Sequence, residues 1–195
     1  MPYSIRNIRP NLAGDFPRIH PSALIDPSAQ IIGNVHIGKD VFVAPLACIR
    51  ADKRGPDGIV QPFIIEEEVS IQDGAIIHSH RGSSVVIGAQ TTVAQGVVLH
   101  GPCTIGAKCF LALRSAIYRA TIEDSVWVGM GALVMRATLE SHLYVPAGSV
   151  ITGRSDLVGL RFVTPKETEY MDRILESNSL LRGDYQQLRS QLEKQ

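Results

Sequence analysis

The chain has 195 residues, enough for one domain with a sizeable core; 45% are hydrophobic and only 6% aromatic, so Val, Ile, Leu and Ala must build that core. Lys plus Arg balances Asp plus Glu at 19 each, which argues against a nucleic-acid groove, since that needs a basic excess. No apolar run approaches the ~18 residues of a membrane span, and the stretch Met1 to Pro10, with Arg6 and Arg9, lacks the apolar segment of a signal peptide.

In chain order, the first regularity is a step of six. Ile25, Ile31, Ile37, Val43 and Ile49 carry it, then Ile65, Ile71 and Ile77, then Ile87, Val93, Leu99, Ile105, Leu111 and Ile117. Ile122, Val128 and Val134, and finally Leu139, Val145 and Ile151, continue it. Four residues after each aliphatic stands a small or β-branched residue, as in Ala29, Val35, Val41, Ala47, Val69, Ala75, Val97, Cys103, Cys109 and Ser115. Period six is neither helical nor a simple alternation. Short strands joined by tight corners explain it, with the aliphatic inward on each strand and the small residue in the corner. Three such strands make one coil, and coils stack through parallel ladders. The expected fold is all-β: a parallel β-helix of hexapeptide repeats over 1–163, with a C-terminal α-helical segment over 164–195. The coils of known hexapeptide families wind left-handed, so the resemblance implies a left-handed parallel β-helix.

Two interruptions break the repeat. Ala51 to Phe63 contains the turn-rich Arg54-Gly55-Pro56-Asp57-Gly58, and His80 to Val86 is shorter. Past Gly153, Thr164-Pro165-Lys166-Glu167 reads as a capped helix start. Helical spacing follows in Tyr170, Ile174 and Leu175, and in Leu181, Tyr185, Leu188 and Leu192, with Gly183 expected to break or bend the helix. That stripe predicts a helix laid along one flat face. Cys48, Cys103 and Cys109 lack ligand spacing and read as free thiols of a reducing cytoplasm.

In a three-sided coil, a residue lies above its counterpart three hexads earlier. Applied to the residue after each aliphatic, this stacks Arg50, His78, His100 and Tyr118 in one outward column. Two stacked imidazoles either stand solvated on a sheet face or converge on one ion at the ~2.0–2.1 Å of a Zn–N bond. Their neighbours favour the ion. Arg50-x-Asp52, Gln72-Asp73-Gly74-x-x-x-His78 and His100-Gly101-Pro102 resemble the signature of the γ-class carbonic anhydrase family. The likeness covers most of the chain and extends to Tyr144-Val145-Pro146-Ala147-Gly148 and to the segment from Asn178 to Tyr185. It is nearest to the branch holding the archaeal prototype and the carboxysome scaffold's N-terminal domain.

The resemblance implies reversible hydration of CO2 to bicarbonate at a Zn2+ ion, or Fe2+ or Co2+, held between subunits of a cytoplasmic homotrimer. Carried over, His78 and His100 are ligands from one subunit, and Arg50 with Asp52 bridges subunits and holds bicarbonate. Gln72 orients the reactants, Asp73 supports that network and Asn178 lines the pocket. Three positions depart from the pattern. The third ligand, from the neighbouring subunit, falls on Gln95, whose amide oxygen is a weaker donor than imidazole. The acidic residue usual after Arg-x-Asp is Lys53, and the proton-shuttle glutamate falls on Arg81. His80 is expected on the next corner, outside the column, and is the other candidate to stand in for the missing ligand. Weak metal binding and little hydration follow, with Gln95→His expected to raise zinc affinity. A non-catalytic trimeric assembly or bicarbonate-binding module, and a hexapeptide acyltransferase using coenzyme A and a lone histidine, are the other readings.

Overall fold

The computed structural model describes residues 7–192, so Arg6 and the other residues of 1–6 and 193–195 lie outside the described ones. The hexads form a left-handed parallel β-helix whose three faces are an eight-stranded sheet and two seven-stranded sheets. Strands pair in parallel with the strand one coil away, and the aliphatic ladder is in register: Ile31 beside Ile49, Ile49 beside Ile77, Ile77 beside Leu99, Leu99 beside Ile117. These side chains fill the interior and are essentially inaccessible to solvent. The small corner residues from Ala29 to Ser115 are buried with them, as the repeat predicts.

The first face carries Gln30–Gly33, Cys48–Ala51, Ile76–Ser79, Val98–Gly101 and Ala116–Tyr118 and bears the histidines. A second face runs through Val35–Ile37, Phe63–Ile65, Val85–Ile87 and Cys103–Ile105. The third, with Phe42–Val43, Ser70–Ile71, Thr92–Val93, Phe110–Leu111 and Trp127–Val128, lies under the C-terminal helix. The last strand is Val150–Ile151, followed by a short 3-10 turn, Arg154–Leu157.

The helix spans Pro165–Leu192. Its start is the capping box expected: the Thr164 hydroxyl accepts from the Glu167 N–H at 3.4 Å, and the Glu167 carboxylate accepts from the Thr164 N–H at 2.8 Å. Near this end Met171 is buried against Phe110 and Ala112, with Tyr170 edge-on to Phe110 at 5.9 Å. The expected break at Gly183 does not occur. Arg182 bonds Asp40 at 3.2 Å and Gln186 bonds the Ser22 carbonyl at 2.8 Å, so both sides of Gly183 are tied to the coils. Those anchors outweigh the ~1 kcal/mol cost of an interior glycine. The apolar residues beyond it are not buried as the stripe suggests; Tyr185, Leu188 and Leu192 line an open cleft with Ile8, Ile19 and Leu24.

Candidate functional site

The column predicted from the repeat forms on the first face. His78 pairs with His100 and His100 with Tyr118 across neighbouring strands, while Ile77 beside Ile49 puts Arg50 next in line. The His78 and His100 rings meet edge to face with centroids 5.5 Å apart, and His100 stacks on Tyr118 at 5.5 Å. Asp52, just past the strand, turns back and joins two members. It accepts from Arg50 Nη1 at 3.0 Å and lies 3.2 Å from His78 Nε2.

Burial holds the His78 imidazole below the usual histidine range, against the pull of the Asp52 hydrogen bond, and the charges of Arg50 and Lys53 add to the depression. His100 is also depressed, first by burial and then by His80 and Lys53. Both rings therefore favour the neutral form, which is the one that ligates. The buried Nδ1 of His100 has no hydrogen-bond partner of ordinary geometry, though the backbone of His100 and Gly101 lies near enough to favour the protonated ring.

His80 departs from expectation. It leaves the strand as predicted, but its ring returns to the column, 4.6 Å from that of His100, with Nε2 2.8 Å from the Tyr118 hydroxyl. A turn over His80-Arg81-Gly82-Ser83 fixes it. The Ser83 N–H and hydroxyl donate to the His80 carbonyl, at 3.2 and 2.8 Å, and the Ser79 hydroxyl lies 2.8 Å from the Ser83 carbonyl and 3.0 Å from that of His80. Gly82 takes φ +67°, the left-handed conformation such a turn demands at its third position. Gly101 makes room for the loop, since a Cβ there would stand 2.7 Å from the Ser84 carbonyl oxygen.

The two interruptions of the repeat prove to be one feature. Arg81 Nε donates to the Arg54 carbonyl at 3.0 Å, and the Gly82 N–H to that of Lys53 at 3.2 Å. Arg81, expected from the resemblance at a proton-shuttle position, is thus a brace between the loops. The Arg-Gly pair was the available turn signal; nothing in the spacing pointed His80 inward.

The remaining candidate residues lie around the corner between the third and first faces. Asp73 and Gln95 occupy the same corner of successive coils, both exposed, with the Gly96 N–H bonded to the Asp73 carbonyl. Gln72 is buried, and its Nε2 donates to the Ser70 hydroxyl at 2.6 Å. Ser70 and Asn178 line a cavity of about 20 Å³ under the helix, where Asn178 Nδ2 is buried without a partner. The chain therefore gathers Arg50, Asp52, His78 and His100 on one face, and Gln72 and Asn178 on another. Between them runs an apolar edge, with Leu46, Ile76, Val98, Leu113 and Met130 all exposed. Leu46 also holds a left-handed backbone, φ +61°.

Among the described residues, no group of three or more His, Cys, Asp or Glu side chains is placed to hold a metal ion. The donor chemistry nevertheless suits a divalent ion. One nitrogen of His78 is oriented by a carboxylate, the outer-shell pattern of ligating histidines, and His100 has a buried nitrogen to spare.

No family model matches the chain. The carboxysome assembly protein CcmM of Nostoc sp. PCC 7120 is 32% identical over 178 residues, which are 86% of this chain and 31% of that protein. The carnitine operon protein CaiE of Escherichia coli K12 is 32% identical over 119 residues, 60% of this chain and 57% of CaiE. The chain thus spans 31% to 57% of these relatives' lengths. Among solved structures, a hexapeptide transferase family protein of Anaplasma phagocytophilum superposes with a TM-score of 0.74 at 24% identity, over 91% of this chain and 97% of that one. A Bacillus cereus protein described as an acetyltransferase gives 0.71 at 24% identity, over 93% and 97%. The chain is a hexapeptide-repeat left-handed β-helix protein. At that identity the two solved structures speak for the fold alone. No helix among the described residues is long and apolar enough to cross a membrane.

Proposed function

We propose that the chain is a γ-class carbonic anhydrase-like module that acts as a homotrimer and hydrates CO2 slowly at a divalent metal site shared between copies. The observation that carries this reading is the unpartnered, buried Nδ1 of His100, stacked above a His78 that Asp52 ties to Arg50. A buried polar atom without a partner costs ~1–3 kcal/mol, which a bound ion would offset.

His78 and His100 would hold the ion, which would supply Lewis-acid activation of water. Arg50 keeps guanidinium donors beyond the one given to Asp52, suited to the planar oxygens of bicarbonate. The second half of the machinery, Gln72, Asp73, Gln95 and Asn178, lies beyond the apolar edge. A second copy seated on that edge covers it and brings its own corner to the histidines of the first. Burying Leu46, Ile76, Val98, Leu113 and Met130 supplies the driving force. With Gln95 at the corner in place of an imidazole, and Lys53 and Arg81 in place of acidic groups, proton transfer lacks support, hence the low rate.

Gln95 also favours a second reading, a trimer of the same family that binds bicarbonate or assembles without turnover. One experiment separates them: light scattering, zinc titration and a CO2 hydration assay on tag-free protein and on His78→Ala. The enzyme reading expects a trimer, zinc binding lost in His78→Ala, and hydration above buffer that disappears with it. Zinc-independent trimers without hydration support the assembly reading, and a stable monomer removes both.

A further inference from the structure

The C-terminal end of the coil stack is finished unevenly. On the third face the last strand, Tyr144–Val145, is closed by the chain's own return. Leu143 bridges Phe162 in antiparallel fashion, the Tyr144 N–H donates to the Arg161 carbonyl at 2.9 Å, and the Val163 N–H donates to that of His142 at 2.7 Å. On the second face the last strand is Thr138–Leu139, which pairs on one side only. One coil earlier, Thr121 and Glu123 donate their N–H groups forward to the Ala137 and Leu139 carbonyls, both at 3.0 Å. Register makes Thr138 and Glu140 their counterparts, and among the described residues no further strand of this sheet follows to receive those N–H groups.

Beside this edge lies a groove of about 630 Å³. Its apolar lining includes Leu157, Leu160 and the exposed Val158 and Phe162, and Arg136 and Arg154 line it too. Arg136 immediately precedes the edge segment, and the register of Leu133 with Val150 carries Gly153, and with it Arg154, to the same corner. Arg119 stands one coil below Arg136, in the same left-handed corner conformation, φ +52° against +54°. All three are exposed, and none of their guanidinium groups has an acidic partner among the described residues.

We propose that this edge and groove form a docking site for an extended peptide of a partner protein, apolar at alternate positions and acidic where it meets Arg136 and Arg154, which adds a strand to the second face. A sheet edge with N–H groups to spare is a template for another backbone. Alternate side chains of an added strand point to opposite sides, so one set enters the groove while the other faces solvent. The guanidinium groups select carboxylates, which they meet through paired hydrogen bonds. The site lies on the end of the stack, off the exposed edge from Leu46 to Met130, so it stands independently of the metal and of the trimer.

The test is fluorescence polarisation of the full chain with a labelled decapeptide alternating valine with aspartate, beside one alternating valine with lysine. One variant, Arg136→Glu with Arg154→Glu, reverses the charge. A second, Thr138→Pro, removes one N–H at a sheet edge, where proline is tolerated. Circular dichroism checks each fold, and hydrogen exchange reads the amides of residues 138–140. The aspartate peptide should bind, and the lysine peptide about tenfold more weakly or worse. Affinity for the aspartate peptide should fall about tenfold or more in the arginine variant, and about three- to tenfold in Thr138→Pro, the loss of one net hydrogen bond. Exchange at residues 138–140 should slow in the complex, a readout that decides the matter even if Thr138→Pro loses its fold. No binding of the aspartate peptide, equal binding of the lysine peptide, or binding without slowed exchange would overturn the proposal. So would self-association that slows the same amides without peptide and is lost in the arginine variant, since a second copy would then occupy the edge.

Discussion

The histidine face and the helix face rest on the same ladder of buried aliphatics yet are finished in opposite ways. The helix face is closed by its own chain over the later coils: Phe110, Trp127, Tyr170 and Met171 interlock, and Arg161 lies 3.8 Å over the Tyr144 ring. The histidine face carries polar stacked rings and ends in an exposed apolar edge. The inward positions of the repeat specify the coil and nothing else. Outward columns decide whether a face becomes core, site or interface.

The contrast predicts where damage falls. Phe110→Ala removes a ring that is 4% exposed between helix and coils, and should cost ~3–5 kcal/mol in urea unfolding. Tyr118→Phe on the other face deletes only a hydroxyl and should cost about 1 kcal/mol. Comparable losses would mean that the histidine face contributes to the fold as the helix face does. Leu113→Glu with Met130→Glu should convert the proposed trimer to monomer in sedimentation while leaving the far-ultraviolet spectrum intact, because both side chains already stand exposed in the single chain. An unchanged trimer would place the interface elsewhere.

Acid should act on the histidine face first. Folding depresses His78 and His100, so the unfolded chain binds more protons once pH falls below the ordinary histidine value near 6.5. Stability is then highest at and above neutrality and declines as pH drops through that value toward the folded-state ones. The melting temperature should fall between pH 7.5 and 5.5, and less so in His78→Gln with His100→Gln, which no longer titrate there. An equal fall in that variant would assign the acid sensitivity to other groups. The smallest effect belongs to Asn178→Leu. Replacing a buried amide whose nitrogen is unpartnered should leave the melting temperature unchanged or slightly raised, while lowering CO2 hydration if Asn178 faces a neighbouring copy's site.

Much of this was legible from spacing alone. Every six-step aliphatic from Ile31 to Ile151 lies inside the coil, and three-hexad arithmetic placed His78, His100 and Tyr118 in one column because parallel register leaves no freedom to slip. The capping box at Thr164 was equally plain. What escaped depends on contacts between segments distant in sequence. Gly183 keeps its helix because Arg182 and Gln186 reach Ser22, about 160 residues away. His80 turns toward the column because the Ser79 and Ser83 hydroxyls close the turn that carries it and Tyr118 waits two coils on. No periodicity encodes either.

The central claim is that a metal sits at the histidine column where two copies meet. Anomalous diffraction at the zinc edge from crystals of the full chain grown with Zn2+ tests it directly. The account predicts one strong peak per chain, bonded to His78 and His100 and covered by the corner of a neighbouring copy that carries Gln95. Peaks only at other sites, or a histidine column open to solvent with no second copy against Val98 and Leu113, would contradict it.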